Sequence, residues 1–347
     1  MENKETVLVT GGSGFIGSHC ILKLAAAGYN VKATVRDLSR TNKLNQVIQN
    51  GLEKYEGQKD LSIDWRVANL MEDSGWEEAM QGCDYVLHVA SPVAMQLPKN
   101  EDEMIRPAVD GTLRVLQAAS KAGVKRVVIT SSVASITYGT NKQGNFNEDD
   151  WTDPSNKTTN VYAKSKTLAE KAAWEFIEND SSGMELATIL PSMVFGPILE
   201  EDFGVSVGAV IDMMNGKYPI VPDWDMGVVD VRDVASLEVL AMTKPEAAGK
   251  RFVCSADNIL MKDQNNYLIG LYPDLAKRIP TRVPPNWFIK FLSLFMPALK
   301  MTAESVGKVR KMDSSRARET LGWKPRTAKE AIKSAAESAY EFNLIKD

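Results

Sequence analysis

A tyrosine and a lysine four residues apart can share one proton-transfer task. In Tyr162-Ala163-Lys164-Ser165-Lys166, the tyrosine and Lys166 stand at i and i+4, so a helix through them presents both on one face. A phenol ordinarily titrates near pH ~10 and is a poor acid at neutral pH. An ammonium ~4 Å away favours the phenolate by a few kcal/mol at an effective dielectric of ~20, enough to lower that pKa by up to about three units. Tyr162 then becomes a usable general acid for reducing a ketone, and a base in the reverse direction. Lys166 can in addition hold the ribose hydroxyls of a nucleotide. Ser132 ends the run Thr130-Ser131-Ser132 and offers a hydroxyl that can bond and orient a substrate oxygen. The plain alternative is an amphipathic helix with an incidental Tyr and Lys. It loses ground because the pair is accompanied by Ser132 and by a glycine loop.

These side chains require a strand ending near Thr130, a helix opening near Tyr162 and a cofactor between them. The loop is near the start, in Val7-Leu8-Val9-Thr10-Gly11-Gly12-Ser13-Gly14-Phe15-Ile16-Gly17. An apolar β-branched run stops at glycine, and Ile21, Leu22, Leu24 and Ala25 then recur at helical spacing. A strand turning tightly into a helix is the expectation. Gly11 can adopt a backbone conformation closed to other residues. Gly14 admits a pyrophosphate, and Gly17 lets the helix sit close on the strand. Ser13, Phe15 and Ile16 fall at the helix start, where free N–H groups would face phosphates.

The second strand should end in Thr34-Val35-Arg36-Asp37. A guanidinium at Arg36 can fork onto a 2′-phosphate and stack on adenine, with Lys43 as a second charge. Asp37 would serve ribose hydroxyls instead if the strand ran one residue further. Arg36 makes NADPH the expected cofactor. Ala90, Ser91 and Pro92 follow the fourth strand, where small residues let a ribose lie against the strand end. His88, inside that strand, reads as a core histidine rather than a base. Substrate contacts are expected from Val93, Met95, Val133 and Ser135, which adjoin these motifs.

Strands are expected at 31–35, 61–67, 85–89, 126–130 and 186–190, and helices at 16–27, 44–50, 74–80, 103–122 and 161–178. Strict alternation predicts an α/β fold, a doubly wound parallel sheet (Rossmann) with a smaller mixed α/β C-terminal substrate lobe. Residues 1–190 would form the dinucleotide-binding domain, rejoined by about 226–256, and 191–347 mainly the interleaved substrate lobe. Met213, Met214, Trp224, Trp287 and Phe291 suggest an apolar cavity there.

The 347 residues carry a net charge of −4 and no long basic block, which removes electrostatic support for nucleic-acid binding. Cys20, Cys83 and Cys254 are far apart and read as free buried thiols, with no metal site. No signal-peptide pattern is seen. The apolar stretch 287–301 contains Lys290, Pro297 and Lys300, is too short to span a bilayer, and should pack inside, with a surface-lying amphipathic helix as the alternative. The expectation is a cytoplasmic protein with a small-molecule carbonyl substrate, no nucleic-acid or membrane partner, and a monomeric or homodimeric state.

Thr10-Gly11-Gly12-Ser13-Gly14-Phe15-Ile16-Gly17 resembles the extended short-chain dehydrogenase/reductase superfamily. Tyr162 to Trp174 resembles the catalytic helix of plant dihydroflavonol 4-reductases and their yeast and bacterial carbonyl and aldehyde reductase relatives. So do Val35-Arg36-Asp37, Val89-Ala90-Ser91-Pro92, Thr130-Ser131-Ser132 and Pro191-Ser192-Met193-Val194-Phe195-Gly196-Pro197. The resemblance implies NADPH and a Ser132/Tyr162/Lys166 triad. It also implies an adenine contact at Asn69-Leu70 and cofactor contacts at Thr130, Pro191, Met193 and Val194. Thr137 stands where plant dihydroflavonol reductases commonly carry the Asn that reads the flavonoid ring. The expected activity is NADPH-dependent reduction of apolar aldehydes, ketones or ketoesters. The alternatives are a non-catalytic NADP-binding sensor, which would typically lack the Tyr/Lys pair, and a hydroxysteroid- or flavonoid-type dehydrogenase.

Overall fold

The computed structural model describes residues 4–57, 61–92, 100–201, 203–296 and 299–346. The first half contains β1 (Thr6–Thr10), α1 (Phe15–Ala26), β2 (Asn30–Val35), α2 (Thr41–Glu56), β3 (Ile63–Val67) and α3 (Trp76–Met80). It continues with β4 (Tyr85–His88), α4 (Asp102–Ala122), β5 (Arg126–Thr130), β6 (Gly144–Phe146) and α5 (Val161–Asn179). The second half adds β7 (Glu185–Pro191), β8 (Met193–Phe195), α6 (Val205–Met214), β9 (Asp225–Asp230), α7 (Val231–Thr243), β10 (Lys250–Cys254) and β11 (Asp257–Leu260). It closes with α8 (Met261–Leu271), α9 (Asn286–Leu292), α10 (Lys300–Ser305), β12 (Arg310–Met312), α11 (Ser315–Leu321) and α12 (Ala328–Glu341).

Seven strands form one parallel sheet in the order β10-β7-β5-β4-β1-β2-β3. The chain starts in the middle at β1, winds outward to β3, then returns to β4 and winds out the other way. The direction reverses between β1 and β4, which opens a crevice at their carboxyl ends. A parallel strand covered on both faces is apolar on both, and successive side chains point to opposite sides. Val7 and Val9 accordingly pack with Cys20, Ile21 and Leu24 of α1 and with Val234 and Leu237 of α7. Leu8 packs on the other face with Val115, Leu116 and Ala173 of α4 and α5. Arg126, at the start of β5, is buried because its guanidinium donates to the carbonyls of Ala241, Met242 and Lys244 and pairs with Glu185. A cation at a helix C-terminus meets both the unbonded carbonyls and the helix dipole.

The doubly wound sheet matches the sequence expectation, with α2 longer than the expected 44–50. Within 226–256, the stretch expected to rejoin the first domain, a strand forms as β9, but it pairs with β8 and β11 in a separate three-stranded sheet. It is α7 and β10 that return the chain to the main sheet. A second core under the small sheet joins Phe195, Val210, Met213, Met214, Ile259, Leu268 and Ile332. Met213 and Met214 therefore fill a core rather than line a cavity. The apolar stretch after Asn286 also departs from expectation. Trp287, Leu294 and Phe295 are 67%, 76% and 71% exposed, because short α9 buries only Ile289. Among the described residues no helix is long and apolar enough to cross a membrane, and no cluster of three or more His, Cys, Asp or Glu could hold a metal. All three cysteines are free and buried.

Candidate active site

Asn160 opens α5 as its N-cap, its side-chain oxygen accepting the Ala163 N–H at 2.9 Å. Tyr162 therefore lies in the first turn and Lys166 one turn further, on the same face. Ser132 caps the short 3₁₀ turn 133–135 that follows β5, its Oγ accepting the Ala134 N–H at 3.1 Å. The Ser132 hydroxyl lies close enough to the Tyr162 phenol to draw its pKa down. Lys166 is buried and its Nζ donates to the Thr130 carbonyl at 3.2 Å. All three members of the expected triad thus come together at the carboxyl edge of the sheet.

Their electrostatics differ from expectation. Burial pushes the Tyr162 phenol above its ordinary pKa, and the nearby Ser132 hydroxyl only partly opposes this. The expected lowering by Lys166 is not found, because the ammonium is directed at the Thr130 carbonyl instead of the phenol. Burial lowers Lys166 itself to about 8, against the opposing pull of Glu170 and Glu238. It still carries its proton for the most part at neutral pH.

Several residues that hold the triad were not evident from sequence spacing. Arg251 of β10 pairs with Glu170 of α5 at 2.7 Å and stacks 3.6 Å over the Trp151 ring. It also donates to the Glu148 and Asp150 carbonyls at 2.6 and 2.9 Å, and to Ser135 Oγ at 3.2 Å. Ser135 was expected to touch substrate. It is instead fully buried, its hydroxyl donating to the Ser132 carbonyl at 2.8 Å, so it supports the triad from behind. Thr130 also donates from its hydroxyl to Glu238 at 2.6 Å. His88 is core, as expected. Thr10 Oγ1 accepts the Ala90 N–H at 3.1 Å and shares a hydrogen bond with His88 Nδ1 at 2.8 Å. Burial, with Lys166 nearby, lowers the imidazole to about 3, leaving it neutral.

The glycine loop is shaped as a cradle. Gly11 has φ +68°, and a Cβ there would lie 3.0 Å from the Ala90 Cα. A Cβ on Gly17 would meet the Gly11 carbonyl at 2.2 Å, whereas on Gly14 its nearest neighbour is that oxygen at 3.3 Å. The space above Gly14 is open. No side chain caps α1, whose first turn includes Phe15 and Ile16 just after Ser13 and Gly14. That donor set fits a phosphate. Gly12, not expected to matter, is as tightly held: a Cβ would lie 2.8 Å from Ala33.

Both Asp37 oxygens are taken by Ser39, at 2.8 and 2.5 Å, capping a short turn. Arg36 is left exposed at the strand end. Lys43 pairs with Glu200 at 3.3 Å, and Arg40, unanticipated, reaches the same carboxylate at 3.7 Å. Asn69 is tied into its own turn through the Met71 N–H and Glu72, and Leu70 packs against Gly111. Ala90, Ser91 and Pro92 line the crevice mouth half-buried, while Pro191 and Val194 are buried and Met193 and Val133 half-buried. Val93 and Met95 lie outside the described residues. A wide polar cleft of about 1370 Å³ lined by Asp223, Asp257 and Lys308 contains no triad residue.

A family model described as the NAD dependent epimerase/dehydratase family matches residues 7–255. Tetraketide alpha-pyrone reductase 1 of Arabidopsis thaliana is 36% identical over 288 residues, 81% of this chain and 85% of that relative. Dihydroflavonol 4-reductase of Zea mays is 33% identical over 292 residues, 82% of this chain and 78% of the relative. Among solved structures, yeast methylglyoxal/isovaleraldehyde reductase Gre2 complexed with NADPH superposes with a TM-score of 0.79 at 27% identity, covering 97% of this chain and 99% of that one.

Proposed function

Because this chain belongs to the NAD dependent epimerase/dehydratase family, in its extended short-chain dehydrogenase/reductase branch, we propose that it is an NADPH-dependent reductase of apolar aldehydes, ketones or ketoesters. The observation that carries this is the gathering of Ser132, the Tyr162 phenol and Lys166 around the carboxyl end of β5. The first turn of α1 and Gly14 would hold the pyrophosphate, Arg36 the 2′-phosphate and Lys166 the nicotinamide ribose. The chemistry NADPH supplies when bound is a hydride to the carbonyl carbon.

The chain's own residues handle the oxygen and its proton. Tyr162 donates the proton. Its raised pKa keeps the phenol protonated across neutral pH, so the donor form is the resting form, and a developing alkoxide is basic enough to take that proton. Ser132 orients the substrate oxygen. The intact Tyr/Lys pair argues against a non-catalytic sensor.

Val133, which adjoins Ser132, and Met193, which follows β7, are half-buried apolar side chains, and neither offers a charge to a carboxylate or phosphate. Apolar substrates are held by area, at ~25 cal/mol per Å² buried. Yeast Gre2, named for methylglyoxal and isovaleraldehyde, suits that class. Thr137 gives little support to a flavonoid reading: it is buried, and its hydroxyl donates to the Val133 carbonyl at 2.9 Å. The test compares kcat/KM for aryl and branched aldehydes and ketones with that for pyruvate and sugar phosphates under NADPH. The apolar series should win by about tenfold or more, the effect of two or so buried methylenes. A tenfold preference for the charged substrates would overturn the substrate class.

A further inference from the structure

A buried acid that the mechanism above leaves unused is Glu238, on α7 behind the sheet. It is fully buried. One carboxyl oxygen accepts the Thr130 hydroxyl at 2.6 Å, and the other, Oε2, has no hydrogen-bond partner. The same Thr130 accepts Lys166 Nζ on its carbonyl at 3.2 Å. One residue of β5 therefore joins the lysine on one face of the sheet to the acid on the other. A half-satisfied carboxyl in a dry core is costly and calls for an electrostatic reason.

The surrounding charges supply that reason. Two carboxyl groups act on Lys166, Glu170 and Glu238. Glu170 is committed elsewhere: it pairs with Arg251 and accepts from Ser131 and Thr188. From α1 and β10, Cys20 and Cys254 face Glu238, and burial, with Glu238 adding to it, pushes both thiols up so that they remain neutral. On β4, His88 is neutral. Arg126 of β5 pairs with Glu185, Asp230 of β9 with Arg232 of α7, and Asp233 of α7 with Arg326. Lys166 is thus the one cation within reach that is not already matched among the described groups acting on Glu238.

We propose that Glu238 is a positioning residue: the buried counter-charge that keeps Lys166 an ammonium, and so able to hold ribose, through the alkaline side of the working range. This rests on the reductase reading above. Burial raises Glu238 to about 7, against the Thr130 hydrogen bond and the pull of Lys166. It is therefore anionic above about pH 7, over the interval in which Lys166, at about 8, is losing its proton. Below that interval Lys166 keeps its proton whether or not Glu238 is charged.

The experiment follows NADPH binding by fluorescence titration from pH 6 to 10 in the wild-type protein and Glu238→Gln, with Glu238→Met as a second, differently shaped substitution. Both variants are repeated in a Lys166→Met background. In the wild type, affinity should fall as Lys166 deprotonates. In either Glu238 variant that fall should move about one unit to lower pH, making NADPH about fivefold weaker at pH 8 and unchanged at pH 6. With Lys166→Met, the Glu238 substitutions should move nothing. A merely structural role would weaken binding at every pH and would persist without Lys166. An unmoved alkaline limb, or the same shift in the Lys166→Met background, overturns the proposal while leaving the reductase reading standing. A wild-type protein that binds no NADPH overturns both.

Discussion

Gly17→Ala tests the cradle most sharply. The new methyl would sit 2.2 Å from the Gly11 carbonyl oxygen, 3.0 Å from its carbon and 3.2 Å from the Gly12 Cα, all backbone. Ordinary contact begins at 3.4 Å, so α1 or the loop must move by roughly 1 Å. No flexible side chain can yield. If the Gly11 carbonyl swings, it abandons the Gly14 N–H it now accepts at 2.9 Å. Overpacking of this kind costs about 1–3 kcal/mol and a lost hydrogen bond about 1 more, so stability should fall by about 2–4 kcal/mol. A ~1 Å misplacement of the helix N-terminus should also cost about 10²-fold in NADPH affinity. Urea denaturation and fluorescence titration read the two effects separately. Two controls sharpen the result. Gly14→Ala meets only the Gly11 oxygen at 3.3 Å, so it should fold as the wild type does and lose NADPH alone. Gly208→Ala in α6 meets only Phe203 at 3.7 Å and should change neither. A Gly17→Ala protein that binds NADPH within about threefold of wild type would refute the reasoning.

Arg36→Asp should weaken NADPH by the worth of one charge-assisted contact, about 1.5–3 kcal/mol, and leave NADH little affected. Equal binding of both cofactors by the wild type, or an unchanged preference in the variant, would remove Arg36 from that role. The histidines predict acid lability. His88 titrates at about 3 in the fold and 6.5 outside it, so the stability it lends at neutral pH is lost as pH falls through that window, about 3 kcal/mol by pH 4. In His88→Asn, whose side-chain amide can still hydrogen-bond Thr10, the stability gap between pH 7 and pH 4 should narrow by about that amount. An identical gap would show that the imidazole is not what the acid attacks.

Six of the sheet's seven strands were legible because each carries a local signature; β10, Lys250–Cys254, was not among the expected strands. Val7 to Thr10 and Arg126 to Thr130 read as buried strands from composition alone, and glycine spacing identified the strand-to-helix turn. The gathering of the three proposed site residues was legible for the same reason: Tyr162 and Lys166 are helix neighbours and Ser132 follows a strand. The contacts that set their chemistry were not. Arg251 reaches Glu170 across 81 residues and Glu238 reaches Thr130 across 108, and no periodicity encodes such pairs. The direction of the Tyr162 shift was missed because i, i+4 spacing predicts proximity but not where an ammonium points. Lys166 finds the Thr130 carbonyl, and burial then decides the phenol. Met213 and Met214 misled because a methionine-rich helix looks the same from sequence whether it lines a cavity or, as in α6, fills a core. Asp37 and Arg36 were separable only once Ser39 was seen to take both Asp37 oxygens.

The account turns on Tyr162 as the proton donor, and the most direct measurement is turnover by Tyr162→Phe with an apolar aldehyde and NADPH, set beside its NADPH affinity. The substitution removes the hydroxyl that lies close to Ser132 and leaves the ring in place. The account predicts that kcat falls by about 10² or more while the NADPH dissociation constant changes by less than about threefold, since the lost group acts in the transition state. A Tyr162→Phe protein that turns over at near the wild-type rate would contradict it.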